Sequence, residues 1–289
     1  MKNFIITTEN TADLPQQYYQ DNEIEYMYLP CTMNDKIYDK DNALSDKEFY
    51  DIMRGGAMPT TSQINAEDAK AVWEPMIKDG QAILHLSFSS ALSGTYNSCR
   101  IAAEELHEEY PDCQLIVIDT LCASLGQGML VDKAVQMRGE GKSFEEVATY
   151  LEANKLNFCH VFTVDDLNHL HRGGRVSKVA AVIGTMINLK PILHVNNEGK
   201  LIPVSKVRGR KKSLLALMEM MKEKTGNYQG DEGKVFISHG DAIEDAQFLA
   251  KNIKEKLGRD VEIINHVGAT IGAHAGPGTI ALFFMGTPR

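Results

Sequence analysis

The chain has 289 residues, an apolar fraction of 43%, a formal net charge of −9 and a pI near 5.5. That length is enough for a large core and two domains. The acidic balance excludes a general nucleic-acid or anionic-membrane surface, which needs a basic face, but leaves room for a small anion in a local pocket.

In chain order, Phe4–Thr7 reads as a first strand, entered directly from Met1 without the apolar run of a signal peptide. A polar turn from Thr8 to Pro15, a short helix through Tyr19 and a second strand over Glu25–Leu29 follow. Ser45-Asp46-Lys47-Glu48 is a capping box that starts a helix running to Arg54, where Gly55 and Gly56 end it. Pro59–Gln63 reads as an exposed polar segment, then come a helix over Ala66–Lys78, a strand over Ala82–Ser87 and a helix over Thr95–Glu109. Leu115–Ile118 is a strand, Ser124–Arg138 a helix, and Ser143-Phe144-Glu145-Glu146 a second capping box for a helix to Lys155.

Strands alternating with helices at this spacing predict βαβ units on a parallel, Rossmann-like sheet, with ligands beyond the carboxyl ends of the strands. The texture changes after Phe158–Val164. A short helix over Asp165–His171 meets Arg172-Gly173-Gly174-Arg175, and Lys178–Met186 is helical again. Ile192–Val195 and Pro203–Val207 flank the turn Asn196–Gly199 as a hairpin. Helices over Lys211–Thr225 and Ala242–Leu257 and strands over Lys234–Ser238, Val261–His266 and Thr279–Met285 complete an α/β domain with a mixed sheet. The expected domains are 1–160 and 161–289, with the ligand between them.

The turn Ser87–Thr95 carries the clearest chemistry. A strand that ends in Ser and Gly and opens into a helix leaves free N–H groups and the positive end of a helix dipole. Ser90, Ser93 and Thr95 add hydroxyls, and Gly94 lets a ligand approach the backbone. Such a turn suits a carboxylate or phosphate; it equally suits a helix cap made by Ser93.

Other motifs fail their own tests. Gly139–Ser143 ends like a phosphate-binding loop, but Gln136 stands where its first glycine belongs. Gly126-Gln127-Gly128 lacks the third glycine of a dinucleotide loop, and there is no Gly-x-Ser-x-Gly nucleophile elbow. His169 and His171 fall on different helix faces, and His85 reads as a satisfied core residue. Cys31, Cys99, Cys113, Cys122 and Cys159 form no CxxC pair and read as reduced core thiols. No metal site and no cofactor are expected. With no apolar run near membrane-spanning length, the chain reads as a soluble, cytoplasmic protein without stable membrane insertion.

Taken together, the polar turns resemble the DegV family from end to end. The resemblance is carried by Thr61-Ser62-Gln63, by Ser89-Ser90-Ala91-Leu92-Ser93-Gly94-Thr95 and by Asp119-Thr120 with Ser124 and Gly126. It continues through Arg172-Gly173-Gly174-Arg175, Lys190-Pro191, Lys206-Val207-Arg208-Gly209 and His274-Ala275-Gly276-Pro277-Gly278-Thr279. The chain departs from the family pattern at Glu9-Asn10, where Asp-Ser is usual, and at Ile64-Asn65, where Pro-Ser is usual.

The resemblance implies a protein that binds a long-chain fatty acid between two α/β domains. It implies that the protein presents the carboxylate to the separate ATP-binding subunit of a fatty acid kinase and is not itself an enzyme. It places Thr61, Ser62, Ser93, Gly94 and His274 at the carboxylate, and Arg172 and Arg208 at the kinase encounter or the acyl phosphate. Two readings stand beside it: an acyl hydrolase using Ser93 with His274, and a lipid sensor or store with no kinase.

Overall fold

A computed structural model describes residues 4–177, 188–230 and 233–289. The helix expected over Lys178–Met186 lies outside the described residues.

Four parallel strands, β1 (Ile5–Glu9), β2 (Glu25–Met27), β6 (Ile83–Ser87) and β7 (Leu115–Asp119), form one sheet in the order β2-β1-β6-β7. β6 is buried at every position, as an inner strand covered on both faces must be. Its side chains alternate between two cores. Ile83 packs with helices α3 (Ala66–Lys78) and α4 (Thr95–Glu109), and Leu84 and Leu86 pack with α5 (Leu125–Gly139) and α6 (Phe144–Asn154). Trp73, fully buried on α3, meets the His85 ring edge-on at 4.9 Å.

The second sheet is mixed. Strands β8 (Phe158–Thr163), β9 (Leu189–Val195), β10 (Leu201–Arg208), β11 (Phe236–His239), β12 (Ile263–His266) and β13 (Ile280–Met285) take the order β10-β9-β8-β13-β11-β12. Among the described residues of this sheet only β11 and β12 pair in parallel; the predicted hairpin is β9–β10. Its edge strand β10 shifts register between Pro203 and Ser205. Helices α8 (Arg210–Gly226) and α9 (Ile243–Leu257) share a core with this sheet.

Helix α5 lies between the sheets. It contacts β1 and β6 on one side and β8, β11 and β13 on the other. A helix so placed has little surface to give to water, and α5 buries Gln127 and Asp132 along with most of its apolar residues, leaving a narrow stripe at Lys133, Gln136 and Gly139. Gly128 permits a close approach of backbone: a Cβ there would meet the Ala12 carbonyl oxygen at 2.7 Å.

A small antiparallel sheet, β3 (Cys31–Met33), β4 (Lys36–Tyr38) and β5 (Thr60–Thr61), was not expected from the residue pattern. It makes Thr61 a half-buried strand residue instead of part of an exposed segment. With α2 (Asp46–Arg54), which begins at the predicted capping box, it covers α10 (Ala269–Ala275). Tyr50 on α2 donates to the Val267 carbonyl at 2.7 Å. A Cβ at Gly272 would strike the Tyr50 hydroxyl and the Phe49 ring. α10 too was missed, since seven residues rich in glycine and alanine carry little helical period.

The glycines of α5 give a direct check. Gly128→Ala should destabilise by about 1–3 kcal/mol through overpacking against backbone. Gly139→Ala, with open space around it, should stabilise by about 0.5–1 kcal/mol. Denaturant midpoints at constant m-value measure both.

Candidate functional site

A cavity of about 190 Å³, open to the centres of water-sized groups, runs between the two sheets. Its body is apolar, with Leu29, Phe88, Phe162, Leu170, Leu201 and Phe283 in its walls.

Polar residues gather in a ring of successive contacts. Thr61 Oγ1 lies 2.7 Å from His274 Nε2, joining β5 to α10 across 213 residues of chain. The His274 ring covers Gly173, where a Cβ would fall 2.2 Å from Nδ1. Arg175 donates to the Gly173 carbonyl and, at 3.0 Å through Nε, to the Leu92 carbonyl. Ser93 follows Leu92, and Gly94 faces Gln63, whose Oε1 would lie 2.1 Å from a Cβ there. Gln63 leads back through Ser62 to Thr61.

Gly94 is the N-cap of α4 and supplies no side-chain cap, and the first turn of that 15-residue helix holds no acidic residue. The positive end of its dipole is therefore uncompensated by carboxylates. Ser93 Oγ accepts from Thr95 N at 3.2 Å and lies 2.9 Å from Thr95 Oγ1, which accepts from Ile64 N at 3.3 Å. Ile64, at the departure from the family pattern, is buried, and Asn65 caps α3 through Asp68 N.

Burial, reinforced by the nearby Arg175 cation, pushes the His274 imidazole down to about 4. It is neutral at pH 7, and the charged form that the residue type allows is disfavoured. Arg175 is itself pushed down by burial. Its position at the ring was missed; Arg172 had been favoured from the same motif. Arg172 is exposed and bonds His169 Nδ1 at 2.7 Å, and Arg208 is exposed on the edge strand. Neither lines the cavity. Nor does the hydrolase pair assemble among the described contacts, since Ser93 Oγ meets Thr95 and His274 Nε2 meets Thr61.

Two buried carboxyl groups stand behind the walls. Glu9 accepts from Ser87 Oγ at 2.7 Å, Phe88 N at 3.0 Å and Gln127 Nε2 at 2.6 Å, with His85 Nε2 at 3.1 Å. Cys99 joins Glu9 and His85 so that their potential ligand atoms lie within 4.8 Å, but the acid and imidazole are already engaged. His85 is thus a satisfied core residue. Asp13 takes Ser124 Oγ at 2.6 Å and Gly268 N at 3.0 Å, and Ser124 Oγ is 2.9 Å from Ser238 Oγ. Ser124 and Ser238 both line the cavity. Burial outweighs these hydrogen bonds and pushes Asp13 up to about 8.

The DegV family model matches residues 3–287. A DegV domain-containing protein of Clostridium perfringens is 46% identical, over 100% of this chain and 99% of its own. Among solved structures, a fatty-acid-binding DegV family protein from Thermus thermophilus superposes with a TM-score of 0.87 at 30% identity, covering 98% of this chain and 99% of its own. A Thermotoga maritima protein reported to bind fatty acid gives 0.83 at 30% identity, covering 99% and 100%.

The raised Asp13 pKa sets a pH dependence. The folded state holds a proton that the unfolded chain releases above about pH 4, so this contribution is complete below that pH and is lost as pH rises towards 8. Asp13→Asn keeps the shape without the titration. Its stability relative to wild type should rise between pH 4 and 8, measured by urea denaturation across that range.

Proposed function

The chain belongs to the DegV family, and on that premise we propose that it binds a long-chain fatty acid in the cavity between its sheets. The carboxylate lies at the ring, held by Thr61, Ser62, Ser93, Gly94 and His274. The observation that carries this reading is the Thr61–His274 contact at the polar end of a largely apolar cavity.

The energetics divide the work. Burying a tail of about 15 methylenes contributes roughly 12 kcal/mol before the ordering costs of binding. Hydrogen bonds to the charged head group add about 1.5–3 kcal/mol each. The tail supplies most of the affinity, and the head sets direction. In the tautomer where His274 Nε2–H donates to Thr61 Oγ1, the threonine hydroxyl proton is left for the carboxylate. A neutral imidazole keeps the acid from being tied into a strong ion pair. The oxygen stays ionised and nucleophilic, as phosphoryl transfer to it requires.

In the same proposal the protein is a binding subunit without catalytic residues of its own, working in the cytoplasm. A separate ATP-using kinase subunit phosphorylates the presented carboxylate to an acyl phosphate. Arg172 and Arg208, both exposed, serve that encounter, and the free state of all five cysteines suits a reducing compartment.

Ser93→Ala with Thr61→Ala should speed loss of bound palmitate on the order of tenfold per hydroxyl removed. Full retention in a lipid-exchange assay would show that the carboxylate lies elsewhere. Arg172→Ala and Arg208→Ala should leave the bound lipid mass unchanged and lower acyl phosphate formation with the kinase subunit. Unchanged turnover would remove both arginines from the encounter.

A further inference from the structure

We infer that Asn10 is a specificity-determining positioning residue, whose side chain clamps two walls of the cavity and sets the width offered to the acyl chain. The inference rests on the fatty-acid reading above and adds a residue that does not itself line the cavity.

Asn10 lies in the turn after β1. Its Oδ1 accepts from Leu29 N at 2.9 Å, and its Nδ2 donates to Thr270 Oγ1 at 2.9 Å. Thr270 Oγ1 in turn donates to the Leu29 carbonyl at 2.8 Å. The three bonds form a closed circuit, and the circuit fixes the amide orientation. Leu29 N needs an oxygen, and the single hydroxyl proton of Thr270 is spent on Leu29 O, so the hydroxyl must accept from Nδ2.

Both clamped residues are cavity walls. Leu29 follows β2 and is almost wholly buried, and Thr270 belongs to α10. Thr270 and His274 are four residues apart, so they share one face of that helix. α10 has seven residues, too few to hold its place by helix propensity alone. Tertiary bonds locate it instead: Asp13 to Gly268 N, Tyr50 to Val267 O, Asn10 to Thr270, and Thr61 to His274. Of these, the Asn10 circuit alone ties α10 to Leu29. A shorter side chain at position 10 reaches at most one partner, leaves Leu29 N without its acceptor, and frees the two walls to move apart.

The test starts from delipidated full-length protein offered an equimolar mixture of straight, branched and monounsaturated acids, from lauric to arachidic length. Native mass spectrometry reads the bound profile. Wild type, Asn10→Ser, Thr270→Val and the double variant are compared. Both single variants should broaden the profile towards longer and branched chains and release palmitate on the order of tenfold faster. The double variant should do no more than the larger single effect, because all act through one circuit. A wild-type profile in folded Asn10→Ser overturns the inference and leaves the fatty-acid reading standing. If Asn10→Ser does not fold, an unchanged profile in the near-isosteric Thr270→Val overturns it in the same way, as do additive effects in the double variant. Wild type that takes up no acid from the mixture overturns the fatty-acid reading, and this inference with it.

Discussion

The spacing between the two sheets is the constraint on which the rest depends, and α5 sets it. A helix buried between sheets on both sides must be acceptable to each. Gly126 and Gly128 remove side chains where His160 and the Ala12 carbonyl press in. Gln127, fully buried, turns its amide to Glu9, Thr8 and the Leu86 carbonyl, so the helix is also bonded to the parallel sheet. The N-cap of this helix, Ser124, lines the cavity. The gap that holds a ligand is thus continuous with the gap that holds the helix.

What could be read from the residues follows physical lines. α3 and α4 match their expected bounds, and α2 and α6 begin at their capping boxes, because amphipathic period and cap chemistry are local. β3, β4 and β5 have two or three residues each, too few for an alternation to show. The ring at the cavity was less legible still. Composition and spacing alone suit the Ser93 turn equally to an anion and to a helix cap, and they do not single out His274; only the resemblance joins the two with Thr61. Arg175 could not be separated from Arg172 without knowing how the Gly173–Gly174 turn directs each side chain. The role of Asn10 was hidden for a related reason, since its partners are 19 and 260 residues away.

The small sheet and α2 show how a segment can belong to one part of the chain and the packing of another. They are threaded between β2 and α3, yet Phe49 and Tyr50 pack on α10, and Arg54 pairs with Asp241 beyond β11. Thr61 comes to His274 because this segment is docked there. Tyr50 and Gly272 are therefore as much a part of the site's geometry as the residues that face the cavity.

The mixed sheet ends in two dissimilar margins. β12 is only four residues long, and β10, which pairs only with β9 among the described residues, carries Pro203, a register shift, and exposed Lys206 and Arg208. A stranger's backbone finds no straight template there, although Ile202 and Val204 are exposed on β10. The proline and the register shift work against the addition of a further strand, so a partner that meets this side reads side chains more readily than backbone.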